Sequence, residues 1–284
     1  MTDIDLYVQR LLETNPLRKP LLRTIIHELD LPFQSHGLDA GCGIGLQALL
    51  LLAAIGVDGH VTGLDIQPEL LARAEEFVER SGLSDQITFR LGDVNQLPFE
   101  DNSFDWVWSS DCIGYPAGDL TALLKELMRV VKPGGRIILL GWSAQQLLPG
   151  YPLLEARLNA TCSGYIPFLK DKHPEQNFMR AVTAVERAGL KNVCAQTFLE
   201  DIRAPLDADQ RTALVSLFDM LWGLPQPGAS PEDLLEFKRL CQPESPDFIL
   251  NIPNYYGFFT YTVIRGVVDK PLASEVSARS ASHH

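Results

Sequence analysis

Three carboxylates and a run of glycines carry the chemistry open to this sequence. Asp39 leads the run Asp39-Ala40-Gly41-Cys42-Gly43-Ile44-Gly45, Asp65 stands 24 residues after Gly41, and Asp93 lies in Gly92-Asp93-Val94. Glycines at alternate positions let a ligand approach the backbone, and a helix starting behind them offers N–H groups without intrahelical partners. A carboxylate at Asp65 can accept from both hydroxyls of a ribose whose other end rests on the glycine turn. The plain alternative is a solvated loop aspartate. Asp93 can accept from an adenine amino group while Val94 packs on the ring, or it can simply close a turn. Together these residues describe a nucleotide-type binding corner.

Such a corner needs a strand, a turn and a helix in that order. An apolar strand ends at Leu38-Asp39, and the Leu/Ala-rich stretch from about Ile44 to Ile55 reads as the helix, closed by Gly56. Val61–Asp65 is a second strand, and Pro68 opens a helix that stops near Gly82. Strands follow at Ile87–Leu91 and Phe104–Ser109. Asp119 is a candidate cap for a helix over Leu120–Val131, and Lys132-Pro133-Gly134-Gly135 is expected to break the chain before a strand at Arg136–Trp142. Alternation at this spacing predicts a Rossmann-like, doubly wound α/β sheet of about seven strands, mostly parallel, and the last strand is expected to be antiparallel. Ahead of it, residues 3–30 read as one or two helices interrupted near Asn15-Pro16 and Pro20. Behind it, the pattern predicts a helix over Glu175–Ala188, a strand at Asn192–Leu199, helices within 207–241 split by a Gly223–Pro231 loop, and a final strand at Tyr256–Val268.

Bulk properties narrow the partners. With 24 Lys+Arg against 36 Asp+Glu, the 284-residue chain has a formal charge of −12, which speaks against a nucleic-acid backbone as ligand. The five cysteines (Cys42, Cys112, Cys162, Cys194, Cys241) contain no Cys-x-x-Cys pair, so neither a metal site nor a disulfide framework is expected, and a cytoplasmic location is. The longest apolar run, Ala48–Ile55, is too short to span a bilayer, and no signal peptide is apparent. His283 and His284 end a polar tail and are set aside from any metal argument.

The segment Gly92-Asp93-Val94-Asn95-Gln96-Leu97-Pro98-Phe99-Glu100-Asp101-Asn102-Ser103-Phe104-Asp105 is more specific. With the glycine run, Asp65 and Arg129-Val130-Val131-Lys132-Pro133-Gly134-Gly135, it resembles the class I S-adenosylmethionine-dependent methyltransferases over roughly residues 35–145. The nearest likeness is the small-molecule branch with the ubiquinone, menaquinone and sterol methyltransferases. The resemblance implies S-adenosylmethionine as cofactor and a small, apolar or aromatic methyl acceptor as substrate. By position it implies that Gly41, Cys42, Gly43 and Gly45 cradle the methionine part and that Asp39 binds its ammonium. Asp65 would hold the ribose with Ile66 against the adenine, Asp93 and Val94 would take the adenine edge and face, and Ser110 would border the sulfonium.

A sulfonium is already an activated methyl donor, so few catalytic side chains are expected, and a base is needed only if the acceptor loses a proton. The candidates are Asp111, Tyr115 and His173, with Cys112 beside them; each also has an ordinary reading as cap, packing or surface residue. The Asn-Pro-Pro-Tyr signature of amino-directed DNA and protein methyltransferases is absent, and Ser109-Ser110-Asp111-Cys112 stands in its place. Trp106, Trp108, Trp142, Tyr151, Tyr165, Tyr255 and Tyr256 could line an apolar acceptor site or pack the core. Two other functions compete for a glycine turn of this kind. A dinucleotide oxidoreductase would need its third glycine at Leu46, and a non-catalytic module would bind cofactor without transferring methyl groups. The expected organisation is a helical cap (1–34), a cofactor-binding core (35–145), the rest of the sheet with a substrate-covering helical insertion at about 203–250 (146–268), and a disordered tail (269–284).

Overall fold

The computed structural model describes residues 3–112, 120–161, 178–223 and 228–271. The expected alternation is present. β1 (His36–Ala40), β2 (His60–Asp65), β3 (Ile87–Leu91) and β4 (Phe104–Ser110) are joined by β5 (Val131–Gln146), β6 (Lys191–Arg203) and β7 (Tyr256–Val267). The seven strands lie in the order β3-β2-β1-β4-β5-β7-β6. All pairs from β3 to β5 are parallel, and the last strands run antiparallel. Helices α2 (Leu46–Ile55), α3 (Pro68–Arg80) and α4 (Leu120–Val130) lie between the parallel strands. Strands β1 to β3 step outward in one direction and β4 returns to the other side of β1. That reversal is the topological switch point, beyond whose carboxyl ends open α/β sheets bind their ligands.

Several elements depart from the sequence reading. Asp3–Leu29 form one 27-residue helix, α1, that continues through Pro16 and Pro20. Each proline removes an amide donor from the helix ladder. Against that, Val8, Leu17, Leu21, Leu22, Ile25, Ile26 and Leu29 are all buried, at roughly 1.5–3 kcal/mol per side chain. The Lys132–Gly135 segment does not precede the fifth strand but lies within it. The β4–β5 register steps from Phe104↔Val131 to Trp106↔Arg136, so the ladder holds on both sides of a bulge. Gly134 has φ +77°, and a Cβ on Gly135 would stand 2.6 Å from the Asp105 carbonyl. Helix α2 starts at Leu46 rather than Ile44, because Gly45 at its N-cap is left-handed. β6 runs to Arg203, four residues beyond the expected strand.

After β5 comes α5 (Pro152–Thr161), a helix that the sequence pattern did not reveal. A 3₁₀ turn, Phe178–Arg180, leads into α6 (Ala181–Arg187). Helix α7 (Ala208–Phe218) begins in a capping box between Asp207 and Gln210 and passes into a π-helical turn, Asp219–Gly223. Helix α8 (Pro231–Cys241) is N-capped by Ser230.

Contacts divide the chain into two compact units. The first holds the described residues of 26–141, 178–196 and 262–271. Its core sets Leu38, Ala40 and Leu64 with Phe104, Val107, Ile137 and Leu139 of the sheet and Leu123, Leu124 and Leu127 of α4. The second holds the described residues of 3–25, 142–161, 197–223 and 228–261. In it Trp142 stacks on Phe259 at 4.5 Å with Tyr261 edge-on, and Phe218 stacks on Trp222. The buried Glu155 accepts from the amides of Leu147 and Leu148 at 2.9 Å, which ties the end of β5 to α5.

Candidate active site

The site is built at the carboxyl end of β1. Gly41 and Cys42 both donate their amides to the Leu64 carbonyl, at 2.8 and 2.9 Å, so the chain leaving β1 crosses the end of β2. Three left-handed glycines make that crossing possible, with φ +83° at Gly41, +54° at Gly43 and +75° at Gly45. Their surroundings differ. A Cβ on Gly45 would stand 2.9 Å from the Phe89 ring, and one on Gly41 would stand 2.7 Å from Cys112 Sγ. A Cβ on Gly43 would meet nothing within 4 Å. Gly43 therefore faces open space, while its two neighbours are glycine because the fold presses against them.

Two carboxylates frame this turn. The Asp65 Oδ2 accepts from the Gly43 amide at 2.8 Å, and its Oδ1 from the Gln67 amide at 3.0 Å. Asp39 is 1% exposed, and among the described residues its Oδ2 is the one buried side-chain oxygen or nitrogen without a hydrogen-bond partner. Burial first, and then the negative charge of Asp65, push the Asp39 carboxyl up to about 8. A buried acceptor without a donor, beside an open backbone turn, fits a ligand that brings a cationic N–H group. An α-amino acid moiety meets that description.

The remaining expected positions are distributed around the same strand ends. Ile66 follows Asp65 and is 63% exposed, an apolar surface presented to solvent. Asp93 closes a turn, with its Oδ1 accepting from the Asn95 amide and side chain at 2.8 and 2.9 Å. Val94 packs against the sheet core. Ser110 ends β4 and donates to Asp111 Oδ2 at 3.4 Å. Asp111 has φ +51° and donates its amide to the Leu140 carbonyl. Burial pushes the Cys112 thiol up to about 11, so it stays protonated at neutral pH. Tyr115 and His173 lie outside the described residues, as do Asp119 and Tyr165.

The aromatic candidates separate. Trp106 and Trp108 are fully buried, with their indole N–H groups donating to Ser35 Oγ at 2.8 Å and Gln47 Oε1 at 2.7 Å, and are core residues. Tyr255 is buried and donates to the Leu147 carbonyl. Two features escaped the sequence reading. Gly63, at the position in β2 paired with Asp39, leaves room for the Phe89 ring and Cys42 Sγ, and its signal was only a glycine inside a strand. The other is the set of bonds that Arg129 makes to the segment after Asp93, which no spacing in the chain announces.

Comparison with known proteins points the same way. A family profile described as "Methyltransferase domain" matches residues 38–135. The sterol 24-C-methyltransferase ERG6B of Gibberella zeae is 31% identical over 205 residues, 66% of this chain and 50% of that protein. The demethylmenaquinone methyltransferase of Bacillus mycoides is 33% identical over 190 residues, 62% of this chain and 78% of its own length. This chain thus spans about half of the sterol relative and most of the menaquinone one. Among solved structures, the YcgJ protein of Bacillus subtilis superposes with a TM-score of 0.53 at 19% identity, covering 88% of this chain and 99% of its own, a likeness of fold.

Proposed function

The chain belongs to the S-adenosylmethionine-dependent methyltransferase family, and on that premise we propose that it transfers the methyl group to a small, apolar or aromatic molecule. One observation carries the donor half of this reading: the buried, unpartnered Asp39 Oδ2 beside the open face of Gly43. Asp39 would take the α-ammonium, and Gly41, Cys42, Gly43 and Gly45 would line the amino-acid portion. Asp65 uses one lone pair of each oxygen to hold the turn and has capacity left for ribose hydroxyls. Ile66 and Val94 would flank the adenine, with Asp93 at its edge and Ser110 near the sulfur.

When bound, the sulfonium supplies an activated methyl group. The protein's own task is then alignment and exclusion of water. Asp111, held in a left-handed conformation beside Ser110, is the described group available to receive a proton from an acceptor that loses one; Tyr115 and His173 share that proposal. The apolar acceptor class is supported by the sterol and menaquinone chemistry named for the relatives. We assign acceptor recognition to the second unit, including the helices within about 203–250, and place the protein in the cytoplasm. No helix among the described residues is long and apolar enough to cross a membrane.

The test is a thermal melt with S-adenosylhomocysteine, followed by incubation of a metabolite extract with methyl-labelled S-adenosylmethionine. The ligand should raise the melting temperature of the wild type and leave Asp65→Ala unmoved, and label should enter an organic-soluble product. A wild type indifferent to millimolar ligand would refute the donor assignment; binding without transfer would favour a non-catalytic module.

A further inference from the structure

We infer that Arg129, on α4, is a positioning residue that sets the adenine-recognition loop. The inference rests on the cofactor reading of Asp93 and Val94. Residues 92–103 form no regular element, so their shape must come from bonds to something rigid. Arg129 supplies them. Its Nη2 donates to the Leu97 carbonyl at 2.9 Å and its Nη1 to the Phe99 carbonyl at 2.7 Å and to Asp101 Oδ1 at 3.0 Å. Its Nε and Nη2 also grip both oxygens of Glu126, at 3.0 and 2.8 Å. These contacts occupy the five N–H donors of a guanidinium.

Glu126 completes the clamp by accepting from the Leu97 amide at 3.0 Å. Both backbone groups of Leu97, four residues beyond Asp93, are thus held by one ion pair on a buried-face helix. The hold passes back along the chain. Leu97 is buried, a Cβ on Gly92 would stand 3.0 Å from Pro98 Cγ, and the Gln96 amide closes on the Asp93 carbonyl at 3.0 Å. The clamp is fixed from below as well: Lys270 Nζ bonds the Arg129 carbonyl and Asn102 Oδ1. A lysine at 129 would keep the charge but not the planar fork that reaches two carbonyls and two carboxylates together.

A group that only staples the fold would lower stability and leave base selectivity alone. A group that aims Asp93 should govern the choice between a 6-amino and a 6-oxo purine. The experiment compares dissociation constants for S-adenosylhomocysteine and S-inosylhomocysteine in wild type, Arg129→Lys and Glu126→Gln, each at a temperature where melting shows the protein folded. Wild type should prefer the adenine ligand by about 10-fold, the value of one well-placed hydrogen bond. Arg129→Lys should bind S-adenosylhomocysteine on the order of 10-fold more weakly and lose most of that preference. Should Arg129→Lys fail to fold, Glu126→Gln decides, with a reduced preference expected. An unchanged preference in a folded variant overturns the positioning role and leaves the cofactor reading intact. A wild type that binds neither ligand overturns the cofactor reading itself.

Discussion

Replacing Asp39 by asparagine should stabilise the ligand-free protein and destroy its hold on the donor. The carboxyl is buried without a donor for Oδ2, and its ionisation is displaced from 3.8 to about 8. An acid raised in the native state holds its proton where the unfolded chain has released it. Its stabilising contribution is therefore complete below pH 3.8 and is lost as pH rises toward 8. At ~1.4 kcal/mol per pH unit, the native state has forfeited roughly 4 kcal/mol by pH 7. Asparagine removes the titration but buries an amide N–H in the same place, at ~1–3 kcal/mol. The net gain is about 2 kcal/mol, or ~4 °C in a chain of this size. Calorimetry of both proteins at pH 5, 7 and 8, with and without S-adenosylhomocysteine, checks this. The variant's advantage should vanish near pH 5, and its ligand-induced shift should be absent at every pH. A ligand-free variant less stable than wild type at pH 8, or one with a full ligand shift, would refute the reasoning.

Two further substitutions separate binding from stability. Gly43→Ala adds a methyl in open space at φ +54°, so it should cost only ~1–2 kcal/mol of folding free energy yet abolish the S-adenosylhomocysteine shift. Gly45→Ala, pressed against the Phe89 ring and Ala74, should lower the melting temperature by several degrees more, read in the same melts. In the second unit, Glu155→Ala leaves the buried amides of Leu147 and Leu148 unpaired, which should cost roughly 2–5 kcal/mol in urea titration. Glu155→Gln, which keeps an acceptor, should lose about a third of that; equal losses would show that the charge rather than the hydrogen bonds matters.

The glycine turn and the carboxylates of the candidate site were legible because they are local. Asp39, the glycines and Asp65 declare themselves by where strands end, and glycine adopts at least cost the left-handed conformations found at 41, 43 and 45. The mostly parallel, doubly wound sheet was legible in the alternation of strands and helices; the order of its strands comes from the structure. What escaped depends on partners distant in sequence. Pro16 and Pro20 argue locally for a break, but the buried stripe from Val8 to Leu29 overrides them. Helix α5 shows no helical periodicity and is held by partners distant in sequence, among them the Arg157–Asp233 pair and the Trp222 indole bonded to Asn159. Lys132–Gly135 has the composition of a turn, and the ladder on both sides of it makes it a bulge. Glu126 and Arg129 lie three residues apart on α4, and that two loop carbonyls lie within reach of Arg129 appears only once the loop folds back over α4.

The register of β1 with β4 has an optical consequence. Asp39 is paired with Trp108, whose buried indole is tied by its N–H to Gln47 on the helix that follows the glycine turn. Paired residues in neighbouring parallel strands leave the sheet on the same side. An indole's emission responds to the electric field across its ring. A proton leaving Asp39, or a cation arriving beside it, changes that field at close range, and any shift of α2 is passed on through Gln47. Donor binding should therefore register in the protein's own ultraviolet fluorescence, without a label, and the Asp39→Asn protein should be spectrally silent to the same titration.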